Sequence, residues 1–81
     1  MGDTATTLAD LKAGQSARVL EVSGGDAVSR RLVDLGFWPG SEIRLVRWAP
    51  LGDPLQVAVA GYRLALGRAE SRRVLLTPGR S

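Results

Sequence analysis

The fold turns on one stretch, LVDLGFWPGSEIRLV, Leu32 to Val46. Its first half completes a run from Asp26 to Leu35 in which Val28, Leu32 and Leu35 recur at i, i+4 and i+7. That spacing is the single apolar stripe of a short amphipathic helix. Asp26 suits the N-cap, and Gly36 stands where the chain leaves a helix through a left-handed residue. Trp38-Pro39-Gly40-Ser41 then has the chemistry of a type II turn, with Pro second and Gly third. From Glu42 to Trp48 the apolar period becomes two. Ile43 and Leu45 share one face, and Glu42, Arg44, Val46 and Trp48 share the other. The stretch therefore reads as a helix passing into a strand, with Leu35, Gly36, Pro39 and Gly40 as its structural punctuation.

Working outward, Ala17 to Val22 is a strand bounded by Gly14 and by Ser23-Gly24-Gly25. Leu8-Ala9-Asp10-Leu11 suits one helical turn, whose two leucines can plug a barrel from below. Residues 1–7 are small and polar, and read as a loose terminus. On the other side, Leu55 to Val59 carries apolar residues at its odd positions. Ala60-Gly61 fits a two-residue hairpin loop, and Tyr62, Leu64 and Leu66 face together in the strand that follows. Gly67 to Arg72 suits a single helical turn. Arg73 to Thr77 is a last strand, ended by Pro78-Gly79, with 78–81 as a tail. Five short strands and one helix in about 70 residues are too little chain for a sandwich. A small barrel is expected, because closing the sheet removes its edges. Periodicity alone does not choose between SH3-like and OB-like barrels.

Eighty-one residues allow one domain. An apolar fraction of 44% against 23% charged residues suits a folded globule. No Cys is present, which excludes disulfides and thiolate metal sites and fits a reducing cytosol. Ten of the eleven bases are Arg, and the net charge is +3. Arg favours planar contacts with carboxylate, phosphate or aromatic faces, although G+C-rich codon usage produces the same bias. No apolar run approaches the ~20 residues that span a bilayer. Asp3, Asp10 and Lys12 interrupt any signal peptide. Met1-Gly2-Asp3-Thr4-Ala5-Thr6 meets the loose myristoylation pattern only formally.

The ordered set Leu8-x-x-Leu11-x-x-Gly14, Leu32-x-x-Leu35-Gly36-x-x-Pro39-Gly40-x-x-Ile43, Gly52-Asp53-Pro54-Leu55, Gly61-Tyr62-x-Leu64-Ala65-Leu66 and Ala69-x-x-x-x-Val74 resembles the FeoA family, ferrous iron transport protein A, over residues 8–77. Gly67 departs from it, since the family more often has a charged residue there. The resemblance implies an SH3-like barrel in the bacterial cytoplasm, acting with the FeoB ferrous-iron permease and its cytosolic GTP-binding domain. It implies no catalytic residues. The same domain closes the iron-dependent repressors of the diphtheria-toxin type, whose DNA-binding helices have no room here.

Chemistry narrows the reading further. Borderline and soft metals want His or Cys, and the chain has neither. Its carboxylates (Asp3, Asp10, Glu21, Asp26, Asp34, Glu42, Asp53 and Glu70) form no local ligand cluster, so no metal site or cofactor is expected. A Ser nucleophile has no base, so no enzyme is expected. Ser23-Gly24-Gly25-Asp26 lacks phosphate-loop spacing and reads as a turn and cap. Nucleic-acid binding needs aromatics interleaved with bases. Trp48 beside Arg47 and Tyr62 beside Arg63 are the pairs available; no nucleic-acid partner is expected, and a small nucleic-acid-binding barrel or the metal-sensing domain of an iron-dependent repressor stands as the alternative reading. A partner surface remains, with Trp48, Arg47, Arg44, Tyr62, Trp38 and Leu51 as its candidates. Trp48 is expected on the outer Arg44 face, or else covering a barrel mouth. Phe37 is expected in the core, and Trp38 is open between core and surface. Arg68 or Arg47 is the candidate for an arginine acting in trans on GTP.

Overall fold

The computed structural model describes residues 7–77, so the readings for residues 1–6 and 78–81 lie outside the described residues. The helix read from the apolar stripe is α1, Ala27–Leu35. Asp26 Oδ1 accepts the Ser29 N–H at 3.1 Å, and Ser29 Oγ donates to the Asp26 carbonyl at 2.9 Å. The buried serine is thereby satisfied and the first turn capped. Leu32 is fully buried, with Val28 and Leu35 packed on the core's margin. Gly36 takes φ 120°; its N–H reaches the Val33 carbonyl at 3.0 Å, and the Phe37 N–H reaches Leu32 at 3.2 Å. Those two bonds form a Schellman motif, which turns Phe37 back into the core at zero exposure. Ser41 N–H closes the expected turn on the Trp38 carbonyl at 2.8 Å.

Five strands follow the sequence reading: β1 Ser16–Val22, β2 Glu42–Trp48, β3 Leu55–Val59, β4 Tyr62–Leu66 and β5 Val74–Leu76. All pairs are antiparallel, in the order β4-β3-β2-β1-β5. Ala60 (φ 53°) and Gly61 (φ 86°) both take the left-handed conformation that a type I′ hairpin requires. A 3₁₀ turn, Leu8–Asp10, buries Leu8 and leads to buried Leu11, as the plug reading expected. The single turn α2, Arg68–Ser71, seats Ser71 at zero exposure.

The barrel does not close. The chain between β4 and β5 is taken up by α2, and β5 is only three residues long. Among the described residues no strand pairs with β4 beyond β3, while Thr7 bridges Leu75 on the outer edge of β5. Thr7, read as part of a loose terminus, is thus tied to the sheet.

Two ion pairs bind the helical side together. Arg31 Nη1 lies 2.8 Å from Glu70 Oε2, joining α1 to α2, and Arg73 Nη1 lies 2.6 Å from Asp26 Oδ1, joining the start of β5 to the α1 cap. The Arg73 hydrogen bond, and then the Ser29 N–H, hold the Asp26 carboxyl at about 2, below its ordinary 3.8. A lowered folded-state value means stabilisation that is present above about pH 4 and lost as pH falls toward about 2. Thermal melts should therefore show the gap between wild type and Asp26→Asn narrowing across that window.

A Cβ built on Gly36 would sit 2.9 Å from the Ala60 Cβ, whereas one on Gly14 (φ 90°) would meet nothing within 4 Å. In urea unfolding, Gly14→Ala is expected to cost about 1 kcal/mol for its positive φ, and Gly36→Ala about 3 kcal/mol for φ plus overlap.

Candidate functional site

The six side chains proposed for a partner surface are divided by the fold among three places. Trp48 is decided by a register shift. Ile43, Arg44 and Leu45 oppose Val59, Ala58 and Val57, but Arg47 and Trp48 then oppose Gln56 and Leu55. Val46 is the extra residue of a β-bulge, and one extra residue inverts which face the rest of the strand presents. Trp48 therefore lies on the core side, across from fully buried Leu55, and not on the Arg44 face that strict alternation indicated. Its Nε1 donates to the Leu11 carbonyl at 3.3 Å. The Arg68 guanidinium lies 5.0 Å from the ring centroid, within cation–π range. Arg68 also donates from Nη1 to the Gly52 carbonyl at 3.2 Å, and its N–H donates to Asp53 Oδ1 at 3.2 Å. Trp48 and Arg68 thus buttress the loop at 49–54. Of the two arginines considered for action in trans, Arg68 is occupied within the chain, while Arg47 is exposed on the outer face.

That buttress presents Leu51. A turn closed by Gly52 N–H on the Ala49 carbonyl, at 2.8 Å, leaves Leu51 95% exposed at the loop's tip.

Trp38 and Tyr62 gather at the end of α1. The Trp38 Nε1 donates to the Val33 carbonyl at 2.6 Å, and the Tyr62 hydroxyl donates to the Leu35 carbonyl. Ser41 Oγ completes the set on the Gly36 carbonyl at 2.9 Å. A helix end leaves its last carbonyls without partners inside the helix, and these side chains supply them. Trp38 settles on the surface, 53% exposed, and Tyr62 is 44% exposed. Each therefore has a structural task at its polar tip and an apolar ring open to solvent.

Arg44 and Arg47 occupy the outer face of the sheet. Ser16, Arg44, Ala58 and Arg63 form one row across four strands, and Arg47, Gln56 and Ala65 form the next. The small residues between the arginines leave an open depression of about 450 Å³ bordered by Ser16, Glu42, Arg44, Ala58, Tyr62 and Arg63. Among the described residues the ion pairs use Arg31, Arg73, Asp26 and Glu70, so Arg44, Arg47 and Arg63 have no carboxylate partner. Sequence reasoning grouped Arg63 with Tyr62 only as a stacking pair and missed it as a companion of Arg44. The alternation of β2 and β4 carried that signal. The same alternation turns Arg47 from Trp48, and Arg63 from Tyr62, so the adjacent pairs do not interleave on one surface.

Ser23-Gly24-Gly25-Asp26 behaves as the turn and cap that was read: a Cβ on Gly24 would meet Arg73 Nη1 at 2.3 Å. Among the described residues no three of His, Cys, Asp and Glu lie together as a metal site.

A family model, FeoA domain, matches residues 6–78. Among solved structures the chain is similar to FeoA of Stenotrophomonas maltophilia complexed with zinc, at 42% identity and TM-score 0.80, over 90% of this chain and 91% of that one. That protein is described as a prokaryotic SH3-domain protein and a candidate ferrous iron transport activating factor. FeoA of Chlorobium tepidum aligns at 40% identity and TM-score 0.81, over 89% of this chain and 69% of that one. A curated relative from Porphyromonas gingivalis, strain ATCC BAA-308 / W83, is an Fe(2+) transport protein A/Fe(2+) transporter FeoB fusion protein. It is 30% identical over 67 residues, 83% of this chain. The chain spans only 8% of that relative's length.

The roles assigned to Trp48 and Leu51 separate in stability measurements. Trp48→Ala is expected to cost about 2–3 kcal/mol in urea unfolding, since a half-buried indole and its hydrogen bond are lost. Leu51→Ala is expected to stay within about 0.5 kcal/mol of wild type.

Proposed function

This chain belongs to the FeoA family, and from that membership we propose that it is a non-enzymatic, cytoplasmic accessory protein of bacterial ferrous iron uptake that docks on a FeoB-type transporter and modulates it. The observation that carries this reading is the fusion, in one relative, of the matched region to the transporter itself. Covalent linkage holds two modules at roughly millimolar effective concentration, which serves a pair that must meet to work. The surface agrees with a docking role. Leu51 projects from a buttressed loop, Trp38 and Tyr62 open half of their rings to solvent, and Arg44, Arg47 and Arg63 on the sheet's outer face have no carboxylate partner among the described residues. No helix among the described residues is long and apolar enough to cross a membrane, so contact with the bilayer would come through the transporter.

The test is co-purification of the tagged chain with the detergent-solubilised FeoB-type transporter of the same genome, together with ferrous iron uptake in cells lacking the chain. Wild type should be retained and should restore uptake. Leu51→Ala and Trp38→Ala, both folded, should weaken retention. A chain that neither co-purifies nor alters uptake overturns the reading.

A further inference from the structure

The outer edge of β4 is a strand edge without a partner strand among the described residues, bordered by arginines on one side and apolar side chains on the other. We propose that this edge receives an extended acidic segment of a partner protein, which adds a strand beside β4 with its carboxylates over Arg63 and Arg44. The proposal rests on the docking role given above and names the surface and the chemistry of its occupant.

Three features converge on it. First, the backbone is available. In a hairpin with a two-residue loop, Val59 and Tyr62 form the first hydrogen-bonded pair, so Tyr62, Leu64 and Leu66 turn their N–H and C=O groups toward β3. Arg63 and Ala65 turn theirs outward, where an added strand pairs. Second, the outer face is basic. Arg63 stands on β4 itself, and Arg44 lies in the same row beyond Ala58, about 10 Å away by strand spacing. Ala58 and Ser16 are too small to fill the row, which leaves the depression described above. Among the described residues Glu42 is the single acid bordering it. Third, the inner side is apolar at this margin. Leu64 is half-buried against the core and Tyr62 is 44% exposed, both on the core-facing side of β4. An added strand alternates its side chains by the same period of two. Acidic residues at one parity would meet the arginines, and apolar residues at the other would cover Leu64.

Charge selects among occupants. A second copy pairing β4 against β4 in the register centred on Arg63 would bring like charges across the ladder, which is destabilising, and in any register it would bring arginines and no acid to the edge. Nucleic acid would satisfy the arginines but offers neither a backbone ladder for Arg63 and Ala65 nor apolar side chains for Leu64.

The experiment is an amide-resonance titration of the full chain with a short blocked peptide of alternating glutamate and valine, beside a lysine–valine peptide and a single-stranded oligonucleotide. The glutamate peptide should shift Arg63, Ala65 and Arg44, and the shifts should weaken with added salt. Arg44→Glu with Arg63→Glu should weaken binding about tenfold or more. Ala65→Pro removes an outward N–H that the hairpin does not use, so it should keep the folded spectrum and lose the edge shifts. Equal binding of the lysine peptide, preferential binding of the oligonucleotide, shifts confined to the 49–54 loop, or concentration-dependent dimers through β4 would each overturn the proposal. The titration contains no transporter. Peptide binding without co-purification therefore defeats the docking role alone, and co-purification unaffected by the double arginine variant defeats this surface alone.

Discussion

The rest of the structure depends on how closely the end of α1 approaches the β3–β4 hairpin. Gly36 lies so near Ala60 that a side-chain carbon on it would sit 2.9 Å from the alanine methyl. That contact joins positions far apart in the chain and fixes the helix against the hairpin tip. The Schellman bonds, the Trp38 indole, the Ser41 hydroxyl and the Tyr62 hydroxyl then pair the carbonyls of Leu32, Val33, Leu35 and Gly36. A helix of nine residues has little stability of its own. Its order comes from this seating and from the burial of Leu32 and Phe37. The exposure of Trp38 and Tyr62 follows from their tasks at the helix end: a ring whose polar tip must reach a carbonyl at the helix's rim cannot also sink into the core.

Charge is arranged by the same economy of caps. A net charge of +3 looks mild in composition. Yet Asp10 accepts the Thr7 N–H, Asp26 the Ser29 N–H, Asp53 the Arg68 N–H and Glu70 the Gly67 N–H. Asp26 and Glu70 also hold Arg73 and Arg31. Four of the eight acids are thus used on the helical and loop side, where turn starts need acceptors. What remains over the outer sheet is Arg18, Arg44, Arg47 and Arg63, with Glu42 and Glu21 on the same face. Around Arg44 and Arg63 the local field is positive, since Glu42 is the acid beside them among the described residues.

Most of the architecture was legible because local signals agreed with one another. Asp26, the Val28–Leu32–Leu35 stripe, Gly36, Pro39-Gly40 and Ala60-Gly61 each announce one element, and each stands where its chemistry says. The order of these residues also carried the FeoA resemblance. Two features were not legible. Val46 gives no sign of a bulge, being neither Gly nor Pro, so period-two counting carried Trp48 to the wrong face. Its tertiary reason is that Leu55 and Leu66 lie across the ladder and need an apolar neighbour. Closure of the sheet failed for a similar reason. Edge removal is a sound general argument, but it does not foresee that α2 would take up the chain between β4 and β5 or that Thr7 would meet β5. For the candidate site, sequence named several of the residues on the surface; their grouping required the register.

The bulge at Val46 has one more consequence, for how the molecule can meet a partner. It divides β2 into a first half whose Arg44 faces outward over a four-strand row, and an end whose Trp48 tucks inward as a footing for the 49–54 loop. The sheet row is held by continuous ladders, whereas the loop is held by Arg68 through solvent-accessible hydrogen bonds and a ring contact. Segments held in that way open at lower free energy than ladder strands. A partner that engages Leu51 therefore meets a buttressed loop that still opens more readily than the sheet, while one that engages the arginine row meets groups on the ladder backbone. Recognition through charge and strand pairing at the sheet, with Leu51 adding apolar area once the partner is oriented, is the order of events that this difference in rigidity favours.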